Sequence, residues 1–323
     1  MATYVLRRLI QAIPILVGIS IVSFAIVHLA PGDPVDRFRS GRVSQQVIQN
    51  LIRLYGLDKP ILEQFTSWFT AFWQFWKPEA WGYSFLDGRP VTEKVAEKVP
   101  TTLLLMGTSL AVTAIVAVPL GILAAVKQYS WADKIITTLA TIGYALPSFV
   151  LGILLLYTFN IKIGTGPLHF PGYGLQTLGK SNDVGDVAWH LVLPVSSLAI
   201  QQIAGWSRYM RSSMLEVLQQ DYMRTAKAKG LRGSRVLFKH GLRNALIPII
   251  TLLGLTLPSL LGGAAITETI FSWPGLGYMA VQSVGTNDYP VVLAIVMIGG
   301  AMVILGNLVA DVLYGLVDPR IKY

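Results

Sequence analysis

Few residues of this 323-residue chain have both the type and the spacing for chemistry. No Gly-x-x-x-x-Gly-Lys-Ser/Thr run occurs, so the chain does not cradle a nucleotide phosphate in the P-loop manner. It has no His-Glu-x-x-His pair for zinc and no Gly-x-Ser-x-Gly elbow for acyl transfer. Without cysteine there is no thiol nucleophile, disulfide or thiolate metal site. The four histidines, His28, His169, His190 and His240, are scattered. His169 and His190 could meet outside a membrane as a metal pair; His28 and His190 also fit as interfacial residues at the ends of apolar runs. Asp311, one helical turn after Asn307, is the main ionisable group inside an apolar run. Such an acid is a functional candidate by default. Close to the end of its run it also fits a structural hydrogen bond, and a proton-coupled carrier is expected to show more buried acids or histidines. What remains is a run of cations: Arg208, Arg211, Arg224, Lys227, Lys229, Arg232, Arg235, Lys239 and Arg243.

The elements that must position these residues follow from composition. The chain is 53% hydrophobic and only 13% charged, against about 25% charged for a soluble domain, which places it in the membrane class. Six stretches approach the roughly 20 apolar residues of a spanning helix: Leu9–Ala30, Thr101–Val126, Ile135–Phe159, a short His190–Trp206 that carries Gln201 and Gln202, Ala245–Ile266, and Val291–Leu316. The first is too long for a signal-peptide apolar core of about 7–15 residues and is read as a retained span. The net charge of +9 does not indicate nucleic acid, because the cations sit in the links between spans. Arg7 and Arg8 flank the first span, Lys127 and Lys134 bracket the link between the second and third, the 208–244 run lies between the fourth and fifth, and Arg320 and Lys322 end the chain. The link from Glu268 to Pro290 has no Lys or Arg. The positive-inside rule therefore puts both termini and the 208–244 loop in the cytoplasm. Residues 1–30 read as the N-terminus and first span, 31–100 as an extracytoplasmic segment, and 101–323 as the remaining core.

On the outer side, Phe65, Trp68, Phe69, Phe72, Trp73 and Trp76 recur at helical spacing between Pro60 and Pro78. Glu63, Gln64 and Gln74 argue against a seventh span. An amphipathic helix at the membrane surface and a helix packed on the bundle or a partner both fit. The loop Lys162–Asp186 reads as turns. Phe271-Ser-Trp-Pro-Gly-Leu-Gly277 reads as a tight external turn. Pro14, Pro119, Pro147, Pro194 and Pro258 lie in spans, as tolerated kinks or as hinges.

The basic loop has internal order. Met214, Leu215, Leu218, Tyr222 and Ala226 form a helical stripe. Gly230 offers a stop, since glycine accepts the left-handed conformation that ends helices. Ser234 can cap a second helix, Arg235 to Asn244, leading to Pro248 and the fifth span. A solvated linker explains the charge; a surface that packs into another protein explains the stripe and the breaks as well.

Asp221-Tyr-Met-Arg-Thr-Ala-Lys-Ala-Lys-Gly230-Leu231, followed by His240-Gly-Leu-Arg-Asn-Ala-Leu-Ile-Pro248, resembles the EAA loop of binding-protein-dependent ABC importer permeases. More narrowly it is similar to the first permease of the dipeptide/oligopeptide/nickel branch, the DppB/OppB type. Ala30-Pro-Gly-Asp-Pro34, Tyr55-Gly-Leu-Asp-Lys-Pro60, Gly88-Arg-Pro-Val91, Glu268 through Gly277, Asp288-Tyr-Pro290 and Asp318-Pro-Arg320 carry the likeness nearly end to end. Arg224-Thr225-Ala226 stands where the wider superfamily has Glu-Ala-Ala, and the aromatic stretch Trp68–Trp81 is longer than the family suggests. The resemblance implies an all-α type I (MetI-like) permease with six spans in a prokaryotic plasma membrane. It implies a homologous second permease, two ATPase subunits that hold ATP and Mg2+, and an extracytoplasmic solute-binding protein, so this chain needs no cofactor and is no enzyme. Asp221, Tyr222, Arg224, Thr225, Ala226, Lys227, Ala228, Lys229, Gly230 and Leu231 become the coupling helix seated on an ATPase. Glu268, Phe271, Trp273, Pro274, Gly275 and Gly277 become candidates to face the binding protein or substrate. Peptides are the implied substrate; nickel, glutathione and oligosaccharides are carried by related systems. An ion-coupled carrier or channel acting alone, and an intramembrane enzyme for which no nucleophile or metal set is recognisable, are the readings outside this class.

Overall fold

Apolar length and proline placement decide the helices. The computed structural model describes residues 2–29, 45–54, 56–74, 76–77, 79–180, 183–256 and 264–317. Residues 30–34, Tyr55, Pro78, Pro258 and 318–320, singled out above, lie outside them. Helix α1 (Ala2–Leu29) is followed by α2 (Gln45–Leu54), α3 (Ile61–Phe72), α4 (Val91–Val126), α5 (Trp131–Ala145) and α6 (Ser148–Leu156), which runs on as a π-helical turn to Lys162. Then come α7 (Val184–Leu218), α8 (Asp221–Ala228), α9 (Gly233–Ala245, π-helical over Val236–Leu242), α10 (Ile247–Thr256), α11 (Ala265–Ile270), α12 (Leu276–Gly285) and α13 (Tyr289–Val317). Among the described residues, four helices are long and apolar enough to cross a membrane singly, and two bent pairs bring the number to as many as six.

Several spans differ from their expected outlines. Helix α4 begins at Val91, not Thr101, and α7 extends the short fourth run at both ends, to Val184 and Leu218. The third run is not one rod: α5 and α6 meet at 99° across Leu146–Pro147. Proline disfavours the helical conformation of the residue before it, and Leu146 is extended (φ −86°, ψ 124°). Pro147 is therefore a corner, neither a tolerated kink nor a mid-helix hinge, whereas Pro14, Pro119 and Pro194 stay inside their helices. The fifth run starts earlier, with α9 bent 42° against α10.

The long helices meet through small residues, as membrane helices do when close approach supplies dispersion contacts. A Cβ on Gly121 of α4 would lie 2.5 Å from Met210 Cβ and 2.7 Å from the Ser207 carbonyl of α7. Gly143 of α5 sits against Ile200 and Ala204 of α7, Gly254 of α10 against Ala310, and Gly300 of α13 against Ile19. Helix α1 is held to α13 at one end by the Arg8–Asp311 ion pair (2.9 Å). Asp311 is thus engaged in an ion pair with Arg8. At the other end Phe24 and Val27 pack with Leu293, Phe65 and Trp68.

That contact ties the aromatic helix to the bundle, while Ile61 and Leu62 on it stay exposed. Phe65 and Trp68 of α3 pack on the bundle, and His28 Nε2 meets Gln64 Oε1 at 3.2 Å, while Trp73 remains exposed. Beside α3, residues 82–91 form a hairpin: the Ser84 hydroxyl donates to Asp288 Oδ2 (2.5 Å), the Phe85 amide to Asp288 Oδ1, and Lys94 to both Ser84 and Asp87. Both motifs of the resemblance that include Gly88 and Asp288 are thereby joined at the end of the bundle opposite α8. Burial pushes the Asp87 carboxyl up, but hydrogen bonds from Lys94 and the Arg89 amide outweigh it and hold the group below the usual range. His190 Nδ1 meets the Asp186 carbonyl, and His169 Nε2 lies 3.4 Å from Asn160 Nδ2, so the two histidines have separate partners.

Candidate functional site

The basic segment is built on the end of α7. That helix leaves its apolar stretch at Trp206 and runs three more turns to Leu218, bringing Met210 and Met214 into a buried cluster with Ala117, Ala125, Met223, Ala226, Val236 and Ala245. The chain breaks at Gln219–Gln220, where Gln220 is extended (φ −67°, ψ 149°). The stripe from Met214 to Ala226 is therefore not on a single helix: Met214, Leu215 and Leu218 belong to α7, Tyr222 and Ala226 to α8. Tyr222 is 41% exposed, and its hydroxyl accepts from Asn244 Nδ2 at 3.0 Å. The buried residue is its neighbour Met223, which with Ala226 at i+3 supplies the packed face of α8.

Asp221, Tyr222, Arg224, Thr225, Lys227, Ala228, Lys229 and Gly230 are all exposed, and Leu231 is half-buried against the cluster. Burying a methionine contributes about 1.5–3 kcal/mol, so Met223 is the anchor that holds this polar helix on the bundle. Gly241 of α9 lies close against it: a Cβ there would stand 3.2 Å from Met223 Cε and 3.3 Å from Met214 Cε. Gly230 stops the helix as expected, at φ +72°. Ser234 is not a cap, because α9 begins at Gly233 behind Arg232, with no side-chain cap hydrogen bond.

The cations divide. Arg211 of α7 forms a two-pronged pair with Asp133 of α5, Nε to Oδ1 at 2.7 Å and Nη2 to Oδ2 at 2.8 Å. Arg208 lies 4.6 Å from the centre of the Tyr144 ring, also on α5. Lys227 and Lys229 project from the exposed face of α8. Two arginines that read as generic flanking charge are thus internal fasteners, 78 residues from the carboxylate that one of them meets.

The Glu268–Gly277 turn is buried within the chain, not laid open on its surface. Glu268, Phe271 and Trp273 are at most 1% exposed, Gly275 and Gly277 are buried, and Pro274 is half-buried. Trp273 Nε1 donates to the Thr101 carbonyl at 2.9 Å, and the Thr101 hydroxyl donates to the Pro274 carbonyl at 2.8 Å. Glu268 Oε2 accepts from the Tyr278 amide at 2.8 Å, and Oε1 from the Thr102 hydroxyl at 3.2 Å. Thr102 in turn accepts from the Leu276 amide at 2.8 Å. The first turn of α12, whose N-cap Gly275 has no side chain, is therefore capped by two residues from elsewhere. A Cβ at Gly275 would fall 2.5 Å from both Glu268 Oε2 and Thr102 Oγ1. In this conformation the side chains of Glu268, Phe271 and Trp273 are packed in the interior of the chain. Thr101 and Thr102, which the sequence reading passed over, hold the turn in place.

Comparison with known proteins accords with this arrangement. The model of the family described as binding-protein-dependent transport system inner membrane component matches residues 117–323, and the corresponding N-terminal model matches residues 1–106. The chain is 44% identical to the oligopeptide transport system permease protein AppB of Bacillus subtilis (strain 168), over the full length of both. It is 40% identical to the glutathione transport system permease protein GsiC of Pectobacterium atrosepticum and 38% to that of Escherichia coli (strain K12), again over both full lengths. A chain of the MetNI methionine ABC transporter in an inward-facing conformation shares the fold, with a TM-score of 0.53 at 17% identity, covering 71% of this chain and 98% of that one. With matches over nearly its whole length, the chain belongs to the family of inner membrane components of binding-protein-dependent transport systems, as an ABC importer permease.

Proposed function

We propose that this permease imports di- and oligopeptides as one of two homologous permease subunits, driven by two separate ATPase subunits and fed by an extracytoplasmic binding protein. The observation that carries the reading is α8: a short helix packed through Met223 and Ala226 and tied to α9 by the Tyr222–Asn244 hydrogen bond, with Asp221, Arg224, Thr225, Lys227, Ala228 and Lys229 exposed. A helix that buries two residues and leaves most of its polar and charged side chains exposed is shaped to enter a groove on a partner. The positive-inside rule puts that end of the bundle, with both chain termini, in the cytoplasm, and 31–100 outside. ATP and Mg2+ belong to the ATPase subunits. When these close on ATP, they move α8, and the buried methionine cluster carries the motion into α7 and α4.

The oligopeptide permease among the relatives supports peptide as substrate; glutathione, after which other relatives are named, is itself a tripeptide. Nickel complexes and oligosaccharides are separated from peptides by a thermal-shift screen of the cognate binding protein, in which peptides are expected to raise its melting temperature. Coupling is tested by the double reversal Lys227→Glu, Lys229→Glu. Uptake driven by ATP is expected to fall at least about tenfold, within the range that coupling free energies produce, while the assembled complex persists. Wild-type uptake in that variant contradicts the docking role. Uptake by the chain alone under an ion gradient, with no ATPase copurifying, would instead favour a carrier.

A further inference from the structure

We propose that Asp133 and Arg211 form the latch through which movement of the coupling helix reaches the α4–α5 corner, making both of them positioning residues for transport. The proposal rests on the coupling role of α8 and assigns the next link of the path. Arg211 lies on the extension of α7 two turns before Leu218, where the chain breaks into α8. Its guanidinium fork meets both oxygens of Asp133 in the geometry that gives charge-assisted pairs their strength and direction. Asp133 is buried, with 6% of its side chain exposed, against 26% for Arg211.

The carboxylate does more than answer a charge. Asp133 Oδ2 also accepts from the Tyr129 amide at 2.9 Å, and Oδ1 from the Thr137 hydroxyl at 3.2 Å. Tyr129 is in the left-handed region at φ +64°, a conformation that costs a residue with a side chain. One carboxylate therefore fixes the turn after α4, the first turns of α5 and the extension of α7. Two further contacts join α5 and α7: Arg208 over the Tyr144 ring and Gly143 against Ile200 and Ala204. These are apolar or face-on contacts that tolerate sliding. The bidentate pair is directional, and a shift of about 1 Å along α7 breaks it. Neither residue touches the exposed face of α8. Their role is to make α7 and the α4–α5 corner move as one body when α8 is displaced.

The test measures substrate imported per ATP hydrolysed in reconstituted full transporters, normalised to assembled complex. Arg211→Lys keeps the charge and loses the fork; Asp133→Asn keeps the shape and loses the charge. Both are expected to lower the ratio about tenfold, the scale of an ordinary coupling free energy, because ATP is still hydrolysed while the spans no longer follow. The exchange Asp133→Arg with Arg211→Asp is expected to recover part of the ratio. Thr137→Val removes one lateral hydrogen bond and leaves the pair, and is expected to keep the wild-type ratio. If uptake and hydrolysis fall together in Arg211→Lys and in the exchange variant, so that the ratio stays at wild type, the pair is merely structural and the latch is overturned. An equal drop of the ratio in Thr137→Val also overturns it. The Lys227→Glu, Lys229→Glu variant in the same preparation separates the two readings: if it lowers the ratio and Arg211→Lys does not, the latch fails and the docking role stands.

Discussion

The α8 segment and the Glu268–Gly277 turn carry motifs of similar quality, yet they use their residues in opposite ways. In α8 two side chains of eight are buried and the rest face out. In the turn the carboxylate, both aromatic rings and both glycines are buried, and the polar groups of Glu268 and Trp273 are consumed by Thr101, Thr102 and the first turn of α12. A motif therefore marks residues that cannot be exchanged without saying whether a partner or the fold needs them. The distinction lies in whether the polar atoms already have partners inside the chain.

Substitutions should separate the two regions by what they damage. The largest loss of stability is expected at Trp273→Ala, about 3–5 kcal/mol, read as a lower unfolding temperature of the purified permease pair; a variant as stable as wild type would return the turn to the class of contact surfaces. Gly275→Ala forces a methyl group onto Glu268 and Thr102 and should cost about 1–3 kcal/mol by the same measurement. Gly230→Ala meets no neighbouring atom and is charged only the left-handed conformation, about 1–2 kcal/mol, so it should lower thermal stability modestly. The smallest effect on stability, within about 0.5 kcal/mol, is expected for Lys227→Glu with Lys229→Glu, although uptake collapses. A large thermal shift there would mean that the lysines have a structural partner, and the comparison would lose its sharpest edge.

The two regions also differ in how far the sequence could describe them. Gly230 as a helix stop, the basic α8 and the long apolar runs were legible, because each depends on local periodicity or on a conformation that one residue type favours. The break at Gln219–Gln220 was not: the apolar spacing from Met214 to Ala226 continues across it, and the shift from Tyr222 to Met223 as the buried residue follows from that break. The 99° corner at Pro147 exceeds what a proline in an apolar run implies, since a kink and a corner share one local signal. Asp133 with Arg211, Ser84 with Asp288 and Thr102 with Glu268 are separated by 78, 204 and 166 residues, and no local pattern joins them. The turn was misplaced for the same reason. Its composition fits a surface turn, and only the distant Thr101–Thr102 pair shows why it is buried.

The direct test of the docking role exploits a chain that contains no cysteine. Single cysteines at Arg224, Lys227, Ala228 and Pro274 can be paired with a cysteine scan of the ATPase groove and crosslinked in assembled transporters. The account predicts crosslinks from 224, 227 and 228 that change in yield when ATP is bound, and none from 274. Absence of crosslinks from every α8 position in a complex that still transports would contradict it.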